Sequence, residues 1–189
     1  MRPEKLLLFC GPSGSGKTTI VQHLLKSDKR FAFSVSATTR IKRENETEGI
    51  DYHFLSPEEF RRLILQDAFI EWEEVYPGRY YGTLRSEVDK IWKSGKVPLF
   101  DVDVEGGVKI KEKFGKNLLA VFVQPPSVEA LHQRLIARKS ETAESFKTRT
   151  EKSEHELSYA NRFDKIIIND TLELALSEAQ KIVEKFLGP

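Results

Sequence analysis

The sequence predicts an α/β fold in which helices cover both faces of a parallel sheet. Short apolar runs typical of buried strands recur along the chain, at residues 6–10, 97–103, 118–123 and 165–169. Helical patterns separate them, and this alternation is typical of parallel strands joined by crossover helices. Residues 36–83 depart from the pattern, with short strands and charged loops. We expect that segment to form an inserted, smaller α+β subdomain.

A glycine-rich segment joins the first predicted strand to a helix predicted at 17–27. It reads GPSGSGKT over residues 11–18, the spacing G-x-x-x-x-G-K-[ST] in its required position between strand and helix. The glycines allow the backbone to form a nest of N–H groups around a polyphosphate, and the helix N-terminus adds its dipole. Lys17 can then reach the β- and γ-phosphates, and the Thr18 hydroxyl can ligate Mg²⁺. A turn that only connects two elements needs no Lys-Thr pair.

The segment therefore predicts a nucleoside triphosphate site of the P-loop NTPase type, with Mg²⁺. The expected nucleotide contacts are Gly11, Pro12, Ser13, Gly14, Ser15, Gly16, Lys17, Thr18 and Thr19. Because P-loop proteins hydrolyse, transfer or merely sense a nucleotide, a second site must decide the function.

Capping signals and periodicity place the other elements. Ser56, Pro57 and Glu59 supply an N-cap, a first-turn proline and a capping box, and Asp170 with Glu173 predicts a second capping box. Further strands are expected at 31–36, 51–55, 68–73 and, after a turn, within 76–83. Further helices are expected at 84–93, up to Phe114 after a loop at Gly106-Gly107, at 127–139, at 146–162 and from 170 onward.

Composition excludes several classes of partner. Lys and Arg number 30 against 29 Asp and Glu, so the net charge of +1 indicates neither a nucleic-acid polymer nor a membrane surface. The single cysteine, Cys10, excludes a disulfide framework and agrees with a reducing compartment. The start of the chain lacks an apolar stretch of signal-peptide length, and no run approaches a membrane span. We expect a cytoplasmic, single-domain protein, either monomer or dimer.

Carboxylates mark the first candidate for a second site. Asp101 and Asp103 lie two residues apart at the end of an apolar run. We therefore expect both side chains on one face at the ligand-binding edge of the sheet. Glu71 lies in the apolar setting Phe69-Ile70-Glu71-Trp72, where a buried carboxylate needs a partner. An outward-facing residue on an alternating strand would give the same pattern.

Cations and tyrosines mark the second candidate. The set Arg40, Arg43, Tyr52 and Tyr81 has the chemistry of a phosphate pocket, although a solvated basic loop has a similar composition. The set Arg134, Arg138 and Arg149 lies on two predicted helices around a polar link at 140–144. Such arginines either form surface ion pairs or belong to a mobile lid that brings charge to a phosphoryl group.

Taken in order, these blocks resemble the guanylate kinase family over nearly the whole chain. The resemblance is carried by residues 11–18, 33–40, 49–54, 69–72, 80–83 and 168–170. It implies transfer of the ATP γ-phosphoryl group to GMP, giving ADP and GDP. It also implies a core (1–35, 84–126 and 163–189), a GMP-binding insertion (36–83) and a helical lid (about 127–162, mobile over 134–149).

The resemblance further implies a role for each candidate residue. Guanine is held by Ser36, Glu71 and Thr83, and the GMP phosphate by Arg40, Arg43, Tyr52 and Tyr81. ATP is contacted by Arg134, Asn169 and Asp170 in addition to the P-loop, and Mg²⁺ by Thr18 and Asp101. Charge for the transfer comes from Lys17, Arg43, Arg138 and Arg149, while Asp101 and Asp103 face the substrates.

The chemistry of guanine agrees with these roles. Guanine presents N1–H and a 2-amino group on one edge, which one carboxylate accepts together, and its O6 needs a donor such as the Ser36 or Thr83 hydroxyl. Adenine and the pyrimidines do not offer that donor pair beside a carbonyl. Nothing in the sequence obviously reads the ribose 2′-OH, so dGMP is an expected acceptor too. The transfer needs positioning and charge rather than a covalent intermediate.

The chain also departs from the family pattern. Lys42-Arg43 replaces a common Pro-Arg, Asn45 a Gly, Asp101 a Glu and Glu105 a Gln, and the turn at 77–79 is one residue longer. These changes leave open which of Asp101 and Asp103 approaches Mg²⁺ and the register before Tyr81. Two alternatives remain at this point: a non-catalytic peptide-binding module, and a kinase for a different nucleoside monophosphate.

Overall fold

The structure, a computed structural model, describes residues 4–137 and 152–188. Arg138, Arg149 and the predicted link at 140–144 lie outside the described residues. The described strands are β1 (Leu6–Cys10), β2 (Phe31–Phe33), β3 (Ala37–Thr38), β4 (His53–Phe54), β5 (Phe69–Tyr76), β6 (Arg79–Leu84), β7 (Val97–Asp101), β8 (Leu118–Gln124) and β9 (Lys165–Ile168). The described α-helices are α1 (Lys17–Ser27), α2 (Pro57–Leu65), α3 (Arg85–Lys93), α4 (Val104–Phe114), α5 (Val128–Ala137), α6 (152–157) and α7 (Leu172–Leu187).

The larger sheet is fully parallel, with strand order β2-β7-β1-β8-β9. Its central strand β1 pairs with β7 on one side and β8 on the other, so that Leu7 faces both Leu99 and Leu119. The chain reverses its direction of winding at this strand. In open α/β sheets ligands bind outside the carboxyl end of such a switch point.

Helices cover both faces of this sheet, as the sequence predicted. All five residues of β1 are fully buried. On one face Leu7 and Phe9 join the hydrophobic cluster that includes Ile20 of α1 and Ala179 of α7. On the other face the alternate residues of β1 join a cluster that includes Val104 of α4. The parallel α/β fold class is therefore confirmed.

The smaller sheet, with order β4-β3-β6-β5, belongs to the segment predicted as an insertion. Its strands pair antiparallel except β3 and β4. Phe60 of α2 stacks on Phe69 of β5 with ring centres 4.4 Å apart, and the predicted cap of α2 forms, since Ser56 Oγ accepts from the Glu59 N–H at 3.1 Å. This core holds the β5–β6 hairpin against α2.

The pairing of β5 with β6 is irregular next to the turn that joins them. Tyr76 pairs with Arg79 across the turn, and the register shifts between Glu74 and Tyr76. Glu73 consequently pairs with Tyr81, which settles the register that the sequence left open.

The sequence was wrong about the segment after β7. The strand ends at Asp101, and Asp103 is the N-cap of α4, where its Oδ1 accepts from the Gly106 N–H at 2.8 Å. The predicted loop at Gly106-Gly107 is the first part of that helix. A capping aspartate satisfies an otherwise unpaired helical N–H, so this short polar residue starts a helix instead of extending the strand.

Three further boundaries differ from the prediction. β2 ends at Phe33 rather than at 36, because the chain then crosses to the smaller sheet, where β3 begins at Ala37. The last helix has Thr171 as its N-cap without a side-chain hydrogen bond, so the predicted capping box is not made. The described part of the predicted helix 146–162 is helical over 152–157, and a 3-10 helix follows at Ala160–Arg162.

Candidate active site

A cleft of about 250 Å³ lies between the two sheets. Residues that the sequence singled out form much of its wall: Gly11, Ser13, Lys17, Thr18, Ser36, Tyr52, Glu71, Tyr81, Asp101 and Asp103. They come from the P-loop, the carboxyl end of β7 and the insertion. The larger sheet thus presents its switch point to the groups carried by the smaller one.

The P-loop backbone has the shape that an anion site requires. Gly16 is the N-cap of α1 with φ 91°, and α1 has no side-chain cap at this end. A Cβ at Gly16 would lie 2.2 Å from Asn169 Nδ2, so both backbone conformation and space demand glycine. The first N–H groups of α1 are therefore available to a bound phosphate.

The side chain of Asn169 is hydrogen-bonded to the backbone of the P-loop. It is 5% exposed, and its Nδ2 donates to the Ser15 carbonyl at 2.8 Å. The main-chain carbonyl of Asn169 accepts a hydrogen bond from Arg134 Nη2 at 2.8 Å. The neighbouring Asp170 is exposed. The side chain expected near the adenine is thus joined to the P-loop backbone itself.

Asp101 and Thr18 form a hydrogen-bonded polar pair next to the P-loop lysine. Thr18 Oγ1 donates to Asp101 Oδ2 at 2.6 Å, and Lys17 Nζ lies 4.0 Å from Asp101 Oδ1. Asp103 is engaged in capping α4. No group of three or more His, Cys, Asp or Glu within 4–137 and 152–188 forms a metal cage. A hydroxyl and one carboxylate fit Mg²⁺, which keeps waters and phosphate oxygens as its other ligands.

Glu71 faces the cleft rather than solvent. It is 9% exposed, and Thr83, which is fully buried on the paired position of β6, donates its hydroxyl to Glu71 Oε1 at 2.7 Å. Burial raises the pKa of Glu71 to about 7, and nearby Asp103 adds to the rise while the Thr83 hydrogen bond opposes it. A buried carboxylate, whose burial costs free energy, therefore lines the same cavity as the P-loop, and one of its oxygens accepts a hydrogen bond from Thr83.

Arg40 is held by a residue that the sequence analysis missed. Its Nη1 and Nη2 donate to the two carboxylate oxygens of Glu46 at 2.8 and 2.7 Å, and its guanidinium lies 5.1 Å from the Tyr52 ring centre. The Arg40 hydrogen bonds lower the pKa of Glu46 to about 2. Arg43 is exposed, and its backbone N–H also donates to Glu46. Tyr52 and Tyr81 pack edge to face, 6.0 Å apart, at the cleft wall.

Helix α6 supplies a wall that sequence reasoning also missed. Lys152, Ser153 and Glu156 line the cleft. Lys152 Nζ lies 3.9 Å from Glu156 and 5.4 Å from the ring centre of Tyr76 at the end of β5. Burial raises the pKa of Glu156 to about 7. The i, i+4 spacing of a lysine and a glutamate was the available signal, but it is shared by many solvated helix faces.

A P-loop that opens into a second polar pocket carried by an inserted sheet defines the class of P-loop phosphotransferases. The model of the guanylate kinase family matches residues 3–186. The chain belongs to the guanylate kinase family, whose members phosphorylate GMP with ATP, and it is accordingly an enzyme and a nucleotide kinase.

Individual relatives agree with this assignment. The chain is 49% identical to a guanylate kinase of Bacteroides fragilis over 184 residues, covering 97% of this chain and 90% of that protein. It is 44% identical to a guanylate kinase of Salinibacter ruber, with both chains fully covered. The crystal structure of guanylate kinase from Anaplasma phagocytophilum superposes with a TM-score of 0.80 at 28% identity, covering 100% of this chain and 89% of that one.

The helices within residues 4–137 and 152–188 do not include a candidate membrane span. None of them combines the length and the apolar character that a bilayer span requires.

Proposed function

We propose that this chain transfers the γ-phosphoryl group of ATP to GMP or dGMP in the cleft between its two sheets. The observation that carries the proposal is the buried Glu71 carboxylate, which lines the same cavity as Lys17 and Thr18 of the P-loop and accepts a hydrogen bond from Thr83. The P-loop that binds the triphosphate and the carboxylate that recognises guanine thus line one cavity. A scaffold module or a kinase for another base would have no use for that combination.

On the donor side, the P-loop from Gly11 to Thr19 holds the ATP phosphates. Lys17 places its charge on the β- and γ-phosphates, and Thr18 and Asp101 are the residues that would hold Mg²⁺. When bound, Mg²⁺ neutralises charge that develops between the phosphates. Asn169, Asp170 and Arg134 lie on the adenine side. Of these, Asn169 acts through its hydrogen bond to Ser15.

On the acceptor side, ionised Glu71 accepts from guanine N1–H and from the 2-amino group. Thr83 donates its hydroxyl proton to Glu71, so Ser36, which lines the same cavity, is the better donor for guanine O6. This division of labour makes Thr83 the residue that orients the carboxylate. Asp103, which lines the cleft beside Glu71, adds negative charge facing the donor edge of the base.

For the GMP phosphate we propose Arg40, Arg43, Tyr52 and Tyr81. Both oxygens of the Glu46 carboxylate accept hydrogen bonds from Arg40, which is the bidentate geometry that a phosphate would also adopt. Arg40 is thereby pre-oriented for an anion. The roles of Arg138 and Arg149, the lid at 127–162, the three-part division of the chain and a cytoplasmic location stay predictions from the sequence.

An acceptor assay tests this proposal. ADP release, coupled to an optical readout, is measured with ATP, Mg²⁺ and each of GMP, dGMP, AMP, CMP and UMP. We expect turnover with GMP and dGMP and at least about 10⁴-fold lower kcat/KM with AMP, because a site built for substrate donors rejects analogues lacking them. The control omits the acceptor and measures ATP hydrolysis alone. Faster turnover with AMP or a pyrimidine nucleotide would contradict the guanine assignment.

The raised pKa of Glu71 predicts a pH dependence that is specific to GMP. Only the ionised carboxylate accepts two hydrogen bonds, and with a pKa of about 7 its ionised fraction in the ligand-free protein falls as the pH decreases. We therefore expect kcat/KM for GMP to fall by about tenfold per pH unit below that pKa and to level off above it. The KM for ATP, measured in parallel, serves as the control. A GMP profile that stays flat down to pH 5.5 would be the contrary result.

A further inference from the structure

We propose that Gly106 is a positioning residue for Glu71 and thereby for guanine selectivity. Gly106 lies in the first turn of α4, directly against the Glu71 carboxylate. A Cβ at this position would lie 3.0 Å from Glu71 Oε2, 3.4 Å from Glu71 Cδ and 3.0 Å from Asp103 Oδ1. The inference rests on the proposed function, since it assumes that Glu71 reads the base.

Space, and not backbone conformation, explains the glycine. Gly106 does not belong to the residues with positive φ in the described part of the chain, and it lies within a regular helix. Alanine stabilises a helix more than glycine does, so glycine at position 106 lowers the intrinsic stability of α4. A glycine that the backbone does not need, and that is buried against a carboxylate, indicates a requirement for close approach.

The two oxygens of Glu71 are thereby fixed from two sides. Thr83 donates to Oε1 at 2.7 Å, and Oε2 lies against the bare α-carbon of Gly106. Asp103 in turn holds the Gly106 N–H at 2.8 Å and keeps this turn of α4 in place. A methyl group at 106 would push Oε2 away while Oε1 stays tethered, so the carboxylate plane would turn and one of the two guanine hydrogen bonds would be lost.

Gly106→Ala tests this with two acceptors, GMP and IMP. IMP keeps N1–H and O6 of guanine but lacks the 2-amino group. The ratio of kcat/KM for GMP to kcat/KM for IMP therefore measures how much the hydrogen bond from the 2-amino group to Glu71 contributes. We expect kcat/KM for GMP to fall roughly 10- to 100-fold, the scale of one charged hydrogen bond, and the GMP-to-IMP ratio to shrink. The KM for ATP should change less than about twofold, because Gly106 does not reach the P-loop side.

Gly107→Ala is the matched control. It makes the same change one residue on, where the new Cβ would meet apolar atoms of Cys10, Leu8 and Phe163 at 3.3 Å. It is expected to shift Tm and leave the GMP-to-IMP ratio unchanged. If Gly106→Ala itself lowers Tm, the Glu71→Ala background, which removes the Glu71 carboxylate but not that of Asp103, should reduce the Tm loss in part.

The results separate the inference from the function it rests on. A wild-type enzyme without GMP kinase activity would overturn the proposed function. An active wild type with an unchanged GMP-to-IMP ratio in Gly106→Ala, or an equal loss for GMP and ATP, would overturn the role of Gly106 alone.

Discussion

Lys17→Met is expected to abolish turnover while leaving the protein folded. The Lys17 ammonium lines the cleft, 4.0 Å from Asp101 Oδ1, and the proposed function assigns it to the phosphates of ATP. Its loss removes a preorganised charge from the transferring phosphoryl group, and losses of this kind lower kcat by roughly 10²- to 10³-fold or more. The measurement is kcat for ADP formation at saturating GMP and ATP, together with Tm.

Lys26→Met provides the comparison for this variant. Lys26 lies on the same helix α1 but is exposed, so the identical change there is expected to leave kcat within about twofold, as for most surface substitutions. A Lys17→Met enzyme that kept more than a tenth of the wild-type kcat would refute the assignment of the P-loop.

Glu71→Gln is expected to have the second-largest effect, and to act on GMP alone. The amide preserves the shape of the side chain and can still accept from Thr83, but it places an NH₂ donor against the donor edge of guanine. We expect a loss of about 2–4 kcal/mol in kcat/KM for GMP, the sum of a charged hydrogen bond and an unpaired donor. The KM for ATP should hardly change.

Glu74→Gln tests whether the effect belongs to the site. Glu74 is on the same strand but is exposed near the turn, where its Oε1 accepts from the Gly78 N–H. Its GMP kinetics should match the wild type. Equal losses for GMP and ATP in Glu71→Gln would indicate a folding defect, and an unchanged GMP efficiency would remove Glu71 from the site.

Local sequence was sufficient for the donor half of the cleft. The P-loop could be predicted because its shape depends on glycines within eight consecutive residues, and all three of them, Gly11, Gly14 and Gly16, have positive φ. The strands of the larger sheet were predictable for a similar reason, since burial on both faces imposes continuous apolar runs such as Leu6–Cys10.

Contacts between distant segments were beyond such reasoning. Whether Asp103 extends a strand or caps a helix depends on the path of the chain after Asp101, and two acids two residues apart fit both. The role proposed for Gly106 of α4 depends on Glu71, which lies on strand β5 and is adjacent only in the folded chain. Glu46 is one of several acids in a charged loop, between Glu44 and Glu48, and nothing in its spacing from Arg40 distinguishes it from these neighbours.

The pairing of Glu71 with Thr83 has a consequence for how acceptor choice can change. The two residues are direct partners across the β5–β6 ladder, so their distance is set by main-chain hydrogen bonds and not by either side chain. Substitutions at these two positions leave that ladder intact, because neither removes a backbone donor or acceptor. Under the proposed function, the two positions can therefore be exchanged together to change which base is accepted, while the backbone of the hairpin and the P-loop beside the larger sheet stay as they are.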